Sequence, residues 1–404
     1  MNYLLFDDEV RLRLLPFTHT RPIADIRCGI LTMRERWEVL LDAHTGTLTE
    51  EYLQELYPQN AGDKNILING AVFATKELVE AIQLLQPGHT LIHGRTIIAA
   101  CIDGALPDSG SYMTQLHAMN GSNYRDPIQR IDNLWDIFSL NDMAIREDYA
   151  LVTENRVSAA IPEGVTVTGK ENLFIEEGAI INAGCIINAA IGPVYIGKDA
   201  EILEGSIIRG PLALCEHAAI KMGAKIYGAT TIGPGCKVGG EISNVVFFAN
   251  SNKGHDGFLG NAVIGEWCNL GADTNCSNLK NNYDAVKIWD EHQNKLVKTG
   301  LTFCGLLMGD HSKCGINTMF NTGTVAAVSC NIYGAGFPDK FIPSFSWGGV
   351  EGMVTYSFDK AMDTANRMMG RRKKSLSDAE RRMYQYIFEK TAIQRGVFES
   401  NNSN

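Results

Sequence analysis

YIGKDAEILEGSIIRGPLALCEHAAIKMGAKIYGATTIGPGCKVGG, residues 195–240, carries an aliphatic residue at every sixth position. Ile196, Ile202, Ile208, Leu214, Ile220, Ile226, Ile232 and Val238 keep that step without a miss. Neither an α-helix nor an ordinary strand repeats every six residues, but a hexapeptide β-helix does. There each six residues form a short strand and a turn, and three such units close a triangular coil. The aliphatic side chain points into the stack, and coils stabilise one another by burying their apolar rows on their neighbours. Glycines follow several of these positions, at 197, 233, 239, 265, 271, 309 and 315, and are expected to permit the tight corners.

Outward from this core, Ile175, Ile181 and Ile187 keep the step in a different phase. Ile264 and Leu270 resume it, and Met308, Cys314, Phe320, Ala326 and Ile332 continue it more loosely. Two stretches are read as breaks: residues 240–262, and residues 273–304, which are too long and polar for a coil and are expected to leave the solenoid as an arm. The front of the chain differs. YLLF, NILING, HTLIHG and RTIIAACI read as strands, while LTMRERWEVLLDA and ATKELVEAIQLL space their apolar residues as helices do. That alternation predicts an α/β layer. Near the end, Ser377 and Glu380 form a capping-box pattern, and two helices are expected at the solenoid end. The expected organisation is an α/β domain over 1–155, a β-helix over 156–352 with an inserted arm at 273–304, and C-terminal helices over 353–404.

The chain has 404 residues, of which 45% are hydrophobic, enough for two or three cores. A net charge of −10 argues against nucleic acid as a partner, which would need a basic face. The run Arg371-Arg372-Lys373-Lys374 reads as a solvated turn between helices rather than a binding patch. The ten cysteines include no C-x-x-C pair and read as small buried hydrophobes in a reducing cytoplasm. MNYLLFDDEV lacks a basic leader pattern, and no stretch reaches the roughly 18 apolar residues of a membrane span.

Residues 252–278, NKGHDGFLGNAVIGEWCNLGADTNCSN, set a polar cluster ahead of regular coils. In succession stand Lys253-Gly254-His255, Phe258-Leu259-Gly260, Ile264-Gly265 and Asn269-Leu270-Gly271-Ala272. With an α/β front before a hexapeptide helix, the chain resembles the bifunctional N-acetylglucosamine-1-phosphate uridylyltransferase/glucosamine-1-phosphate acetyltransferase family. More closely, it resembles a variant group with a shorter nucleotidyltransferase-like front. The resemblance spans most of the chain and is most specific in residues 250–278. It implies a nucleotidyltransferase-like α/β domain, a left-handed solenoid, and a homotrimer with coenzyme A lying between subunits. It also implies acetyl transfer from acetyl-CoA to the amine of an amino-sugar 1-phosphate, on the way to a nucleotide sugar. The amine must lose a proton to attack a thioester, and an imidazole with an ordinary pKa of about 6.5 can take it. On the resemblance His255 is that base. Lys253 would meet a sugar phosphate, and Asn269 would position the acceptor or the acetyl carbonyl. Asn278 falls at the asparagine of the family's Cys-Asn-Tyr segment, and Ala272, Gly315 and Ile316 match its CoA region. Phe258 and Leu279 stand where the family has tyrosines, and with Phe258 the hydroxyl contact to the substrate is lost.

The front departs further from the family. Its phosphate loop is glycine-rich, whereas this chain has Phe6-Asp7-Asp8-Glu9. LLPFTHTRPIADIRCGILT, residues 14–32, is the candidate substitute, with Arg21 or Arg27 near phosphates. Ala71 follows Asn69-Gly70 where the family has a carboxylate for Mg²⁺, so Asp7 and Asp8 are the remaining candidate metal ligands. Two other functions stay open: a sugar-1-phosphate nucleotidyltransferase whose β-helix only trimerises it, and a non-catalytic sugar-nucleotide-binding protein. A zinc hydratase on this solenoid would need histidines paired five apart, which His217, His255, His292 and His311 do not give.

Overall fold

The computed structural model describes residues 2–106 and 111–401. Its centre is a left-handed parallel β-helix of about ten turns over residues 166–348. The six-residue rows become the inner edges of the prism. On one face Ile175, Ile196, Leu214, Ile232, Phe247, Ile264, Met308, Ala326 and Ile342 stack in register from coil to coil. On the next, Ile181, Ile202, Ile220 and Val238 do the same. These side chains share one continuous buried core.

A left-handed backbone conformation recurs three residues after each residue of the first row. It falls at Gly178, Asp199, His217, Gly235, Asn250, Trp267, His311, Ser329 and Phe345. This corner therefore turns at a fixed place whatever residue occupies it. The glycines singled out in the sequence are not these turning points. Gly197, Gly233, Gly265 and Gly271 have no positive φ; they lie where neighbouring rungs press together. A Cβ at Gly233 would stand 1.6 Å from the Phe248 carbonyl oxygen, and one at Gly271 would stand 2.4 Å from the Gly315 carbonyl carbon. Close approach, not turn geometry, requires glycine there.

Residues 240–262 are not a break. Strands Glu241–Phe247 and Phe258–Ile264 run round a corner without a turn and pair on two faces at once. Each spends five residues, not six, between inward positions (Ile242 to Phe247, Leu259 to Ile264), which explains the change of phase. The stretch read as an arm likewise begins within a coil, because Asn275–Cys276 pairs with Met319–Phe320. The remainder folds into an antiparallel hairpin, Lys287–Asp290 with Lys295–Lys298. It lies back on the front half rather than in solvent: Val286 and Ile288 share a buried cluster with Phe17 and Ile137.

The front is a sheet of β1 (Asn2–Phe6), β2 (Thr45–Leu48), β3 (Lys64–Asn69), β4 (His89–His93), β5 (Thr96–Asp103) and β6 (Asn120–Asn123), in order 2-1-3-5-4-6. Helices Met33–Leu41 and Lys76–Gln83 flank it, each opened by a threonine cap. The loop after β1 is wound into short 3₁₀ turns. Its Val10, Leu14, Phe17 and Ile23 are buried with Val246, Phe248, Val263 and Leu307 of the solenoid. The tail forms three helices, Phe358–Gly370, Asp378–Lys390 and Ala392–Asn401, one more than its spacing suggested. They lie along the solenoid's corner as well as at its end, with Tyr384 edge-on to His311 at 5.4 Å. All ten cysteines are free and buried. Among the described residues no helix is long and apolar enough to cross a membrane.

Candidate active site

His255 projects from the second corner of its coil into a groove of roughly 780 Å³. The floor is the outer side of the second solenoid face. Side chains alternate in and out along a strand, so the residue before each inward position points outward. Register therefore lines up Lys237, Asn252, Asn269 and Lys313 on successive rungs. Lys221, Ala272 and Ile316 complete this wall, and Ile316 is 71% exposed. The opposite wall is the Phe358–Gly370 helix with the turn that follows it, contributing Thr364, Arg367, Met368, Arg371 and Arg372.

The groove is thus strongly basic in a chain of net charge −10. Arg372 is spent on the solenoid: it donates to the Asn250 and Asn252 side-chain oxygens at 2.8 and 3.2 Å and lies over the Trp267 ring. Lys313 donates to the His311 carbonyl at 2.7 Å, and burial pulls its pKa down to about 8. Lys221, Lys237, Arg367 and Arg371 form no ion pair among the described residues and face the groove uncommitted. The imidazole of His255 and the amide of Asn269 likewise make no side-chain hydrogen bond among the described residues. A base, an amide and several cations therefore converge on one cleft. That combination suits a phosphorylated ligand carrying a group that reacts with a proton acceptor.

The remaining residues picked from the sequence lie elsewhere. Gly315 packs beneath Gly271 rather than lining the groove. Phe258 and Asn278 belong to the third face; Asn278 donates to the Asn261 side chain at 2.8 Å. Lys253 does not meet a ligand: it is 1% exposed, and its ammonium is turned into the stack. Arg21 and Arg27 are not phosphate ligands either. Arg21 is buried over the Phe248 ring, paired with Asp310 and, at 3.2 Å, with Glu266. Burial would lower its pKa, but those two carboxylates raise it instead. Arg27 is buried against the Ile30 carbonyl and Glu35.

Asp7 and Asp8 are corrected in the same way. Asp7 accepts from Arg11 at 2.9 Å, Thr49 at 2.6 Å and the Ile23 amide at 2.8 Å. Asp8 accepts from the Val10 amide at 3.1 Å and from Asn69 and Arg130, each at 2.9 Å. Their lone pairs hold the loop, and no set of metal-ligating side chains is gathered among the described residues. Mg²⁺ does not fit these two carboxylates as they stand. The run at 371–374 does form a largely exposed turn between helices, but Arg371 and Arg372 also line the groove, a placement set by tertiary contacts with Trp267, Asn250 and Asn252 that no local pattern announces.

Fold and groove define a class of architecture: an α/β domain joined to a hexapeptide β-helix whose outer face and a C-terminal helix enclose a basic cleft. Residues 3–157 match a family described as sugar nucleotidyl transferase. The chain is similar to the bifunctional protein GlmU of Methanocaldococcus jannaschii, with 25% identity over 296 residues, 73% of this chain and 63% of that protein. It is similar to the bifunctional protein GlmU of Methanococcus maripaludis, with 28% identity over 218 residues, 54% of this chain and 46% of that one. It also matches the uncharacterized acetyltransferase YaiX of Escherichia coli, with 26% identity over 161 residues, 39% of this chain and 69% of that protein. The chain therefore spans less than two thirds of the length of the bifunctional relatives it matches.

Proposed function

We propose that the groove transfers an acetyl group from acetyl-CoA to the amine of an amino-sugar 1-phosphate. The supporting observation is the convergence of an uncommitted imidazole, His255, an uncommitted amide, Asn269, and a cationic wall on one cleft. The phosphates of coenzyme A are held by Arg367, Arg371, Lys221 and Lys237 through charge-assisted contacts. His255 takes a proton from the sugar's ammonium group. The freed amine attacks the thioester carbonyl, forming the C–N bond. Asn269 donates to the oxyanion, the C–S bond breaks, and CoA leaves as the thiol by taking up the second proton, which the nitrogen sheds as the amide forms; the first passes from His255 to solvent. Holding both substrates along one rigid wall contributes most by proximity.

Two of the matches accord with this reading: one relative carries the name acetyltransferase, and residues 3–157 match a sugar nucleotidyl transferase family. A homotrimer with the donor at the subunit boundary accords with the exposed Ile316 beside the groove. The test is thiol release from acetyl-CoA plus glucosamine 1-phosphate. Wild type should turn over, and His255→Ala should lose about 10²–10⁴-fold in kcat, the usual contribution of a general base. A second reading, nucleotidyl transfer by residues 3–157, draws support from the family match. It predicts pyrophosphate release from a nucleoside triphosphate plus sugar phosphate that His255→Ala leaves intact. A non-catalytic sugar-nucleotide-binding protein would bind and release neither product.

A further inference from the structure

Lys253 stands where the repeat calls for an aliphatic residue. Its backbone pairs in register with Val238, its neighbour Asn252 pairs with Asn269, and the inward row of this face continues through Leu270, Cys314 and Ile332. A leucine would satisfy the packing. A buried ammonium is costly unless its hydrogen bonds are made. Here they are: Nζ donates to the carbonyl oxygens of His255 at 2.7 Å, Asp256 at 3.1 Å and Gly239 at 3.3 Å.

We propose that Lys253 is a positioning residue whose buried ammonium pins the Gly254–Gly257 corner to the solenoid and thereby fixes where His255 presents its imidazole. The far end of the corner is held by the backbone, with the Asp256 carbonyl accepting from the Asp273 amide at 3.1 Å and the Gly257 carbonyl from the Glu241 amide at 3.2 Å. The near end is not: Gly254 has open space beside its α-carbon, and among the described residues the His255 carbonyl accepts only from Lys253. The His255 ring has no hydrogen bond of its own among the described residues, so its place follows from the backbone that Lys253 holds. The kinetic part of this proposal rests on the acetyl-transfer reading; the anchoring part does not.

The anchor carries a pH signature. Burial draws the Lys253 pKa down to about 8, partly opposed by Asp256 in the same corner, Asp273 in the corner of the next rung, and the Cys314 thiol on the rung beyond. A protonated amine offers three donors to the three carbonyls. The neutral amine offers two, and its lone pair then faces a carbonyl oxygen. The grip should weaken as pH rises through about 8.

Lys253→Met tests the assignment. The variant should fold with unchanged or higher melting temperature at pH 7 and bind CoA within about threefold of wild type. Its kcat should fall at least tenfold, and the alkaline limb near pH 8 should vanish from its kcat profile. Backbone amides 254–258 should exchange faster. Wild-type kcat, pH profile and exchange in Lys253→Met would overturn the proposal. If wild type itself releases no thiol, the acetyl-transfer reading fails, and amide exchange alone decides the anchor. If Lys253→Met does not fold, exchange of amides 254–258 in wild type, corrected for intrinsic base catalysis, replaces it. Protection should drop between pH 7 and 9.5, and constant protection would overturn the proposal.

Discussion

At the scale of single residues, Lys253 also leaves a mark on stability, of opposite sense to its effect on the corner. The folded protein holds this proton less tightly than the unfolded chain does, since the pKa is about 8 instead of 10.5. Stability from this group is therefore lowest below pH 8 and recovers as pH rises toward 10.5. The difference in unfolding free energy between Lys253→Met and wild type should shrink by on the order of 3 kcal/mol over that window, measured by urea titration at each pH. The glycines supply a second residue-scale prediction. Gly233→Ala drives a Cβ into the Phe248 carbonyl and should cost about 3 kcal/mol or more. Gly223→Ala meets no atom within 4 Å and should cost about 1 kcal/mol, only for its φ of +66. Equal costs in thermal denaturation would remove the close-approach argument. His255 was legible in the sequence because a known pattern surrounds it. The true place of Lys253 was legible too: Phe247, Lys253 and Leu259 keep the six-residue step. Reading 240–262 as a break hid it, because the five-residue steps on either side shift the phase.

At the scale of elements, the helix Phe358–Gly370 turns a solenoid face into a groove. Its spacing was readable as helical, but its docking was not. The contacts that seat it, Arg372 with Asn250, Asn252 and Trp267, join positions more than a hundred residues apart. A basic run beyond a helix looks solvated until its partner surface is known. Arg371→Glu reverses a charge that no carboxylate pairs among the described residues. It should raise the KM for acetyl-CoA at least tenfold, with the melting temperature within about 1 °C of wild type. An unchanged KM would detach this helix from donor binding. Strands β1, β3, β4 and β5 were readable from short apolar runs bounded by Gly, Asn and Asp, because a buried strand needs only a few such residues.

At the scale of the molecule, the loop after β1 joins the two halves. Arg21 is paired with Asp310 and Glu266, Thr20 donates to Asp310 at 2.8 Å, and His19 lies 2.8 Å from Glu291 on the hairpin. These partners stand more than 240 residues away in sequence, so no local pattern announced them. A loop that resembles a phosphate-binding segment in position serves instead as a clamp between sheet and solenoid. Asp310→Ala leaves the Arg21 guanidinium buried without its nearer carboxylate and should cost about 3–5 kcal/mol by chemical denaturation. A cost below about 1 kcal/mol would mean that the halves are held by the apolar contacts of Phe17 and Phe248 alone. The clamp sets the front sheet rigidly on the wall that carries the groove, but the proposed chemistry belongs to the groove. The most direct measurement follows labelled acetyl from acetyl-CoA onto glucosamine 1-phosphate, with wild type and His255→Ala side by side at saturating donor. At least a hundredfold slower product formation by the variant, with donor binding unchanged, is the predicted result. Equal rates of acetylated product from the two proteins would contradict it.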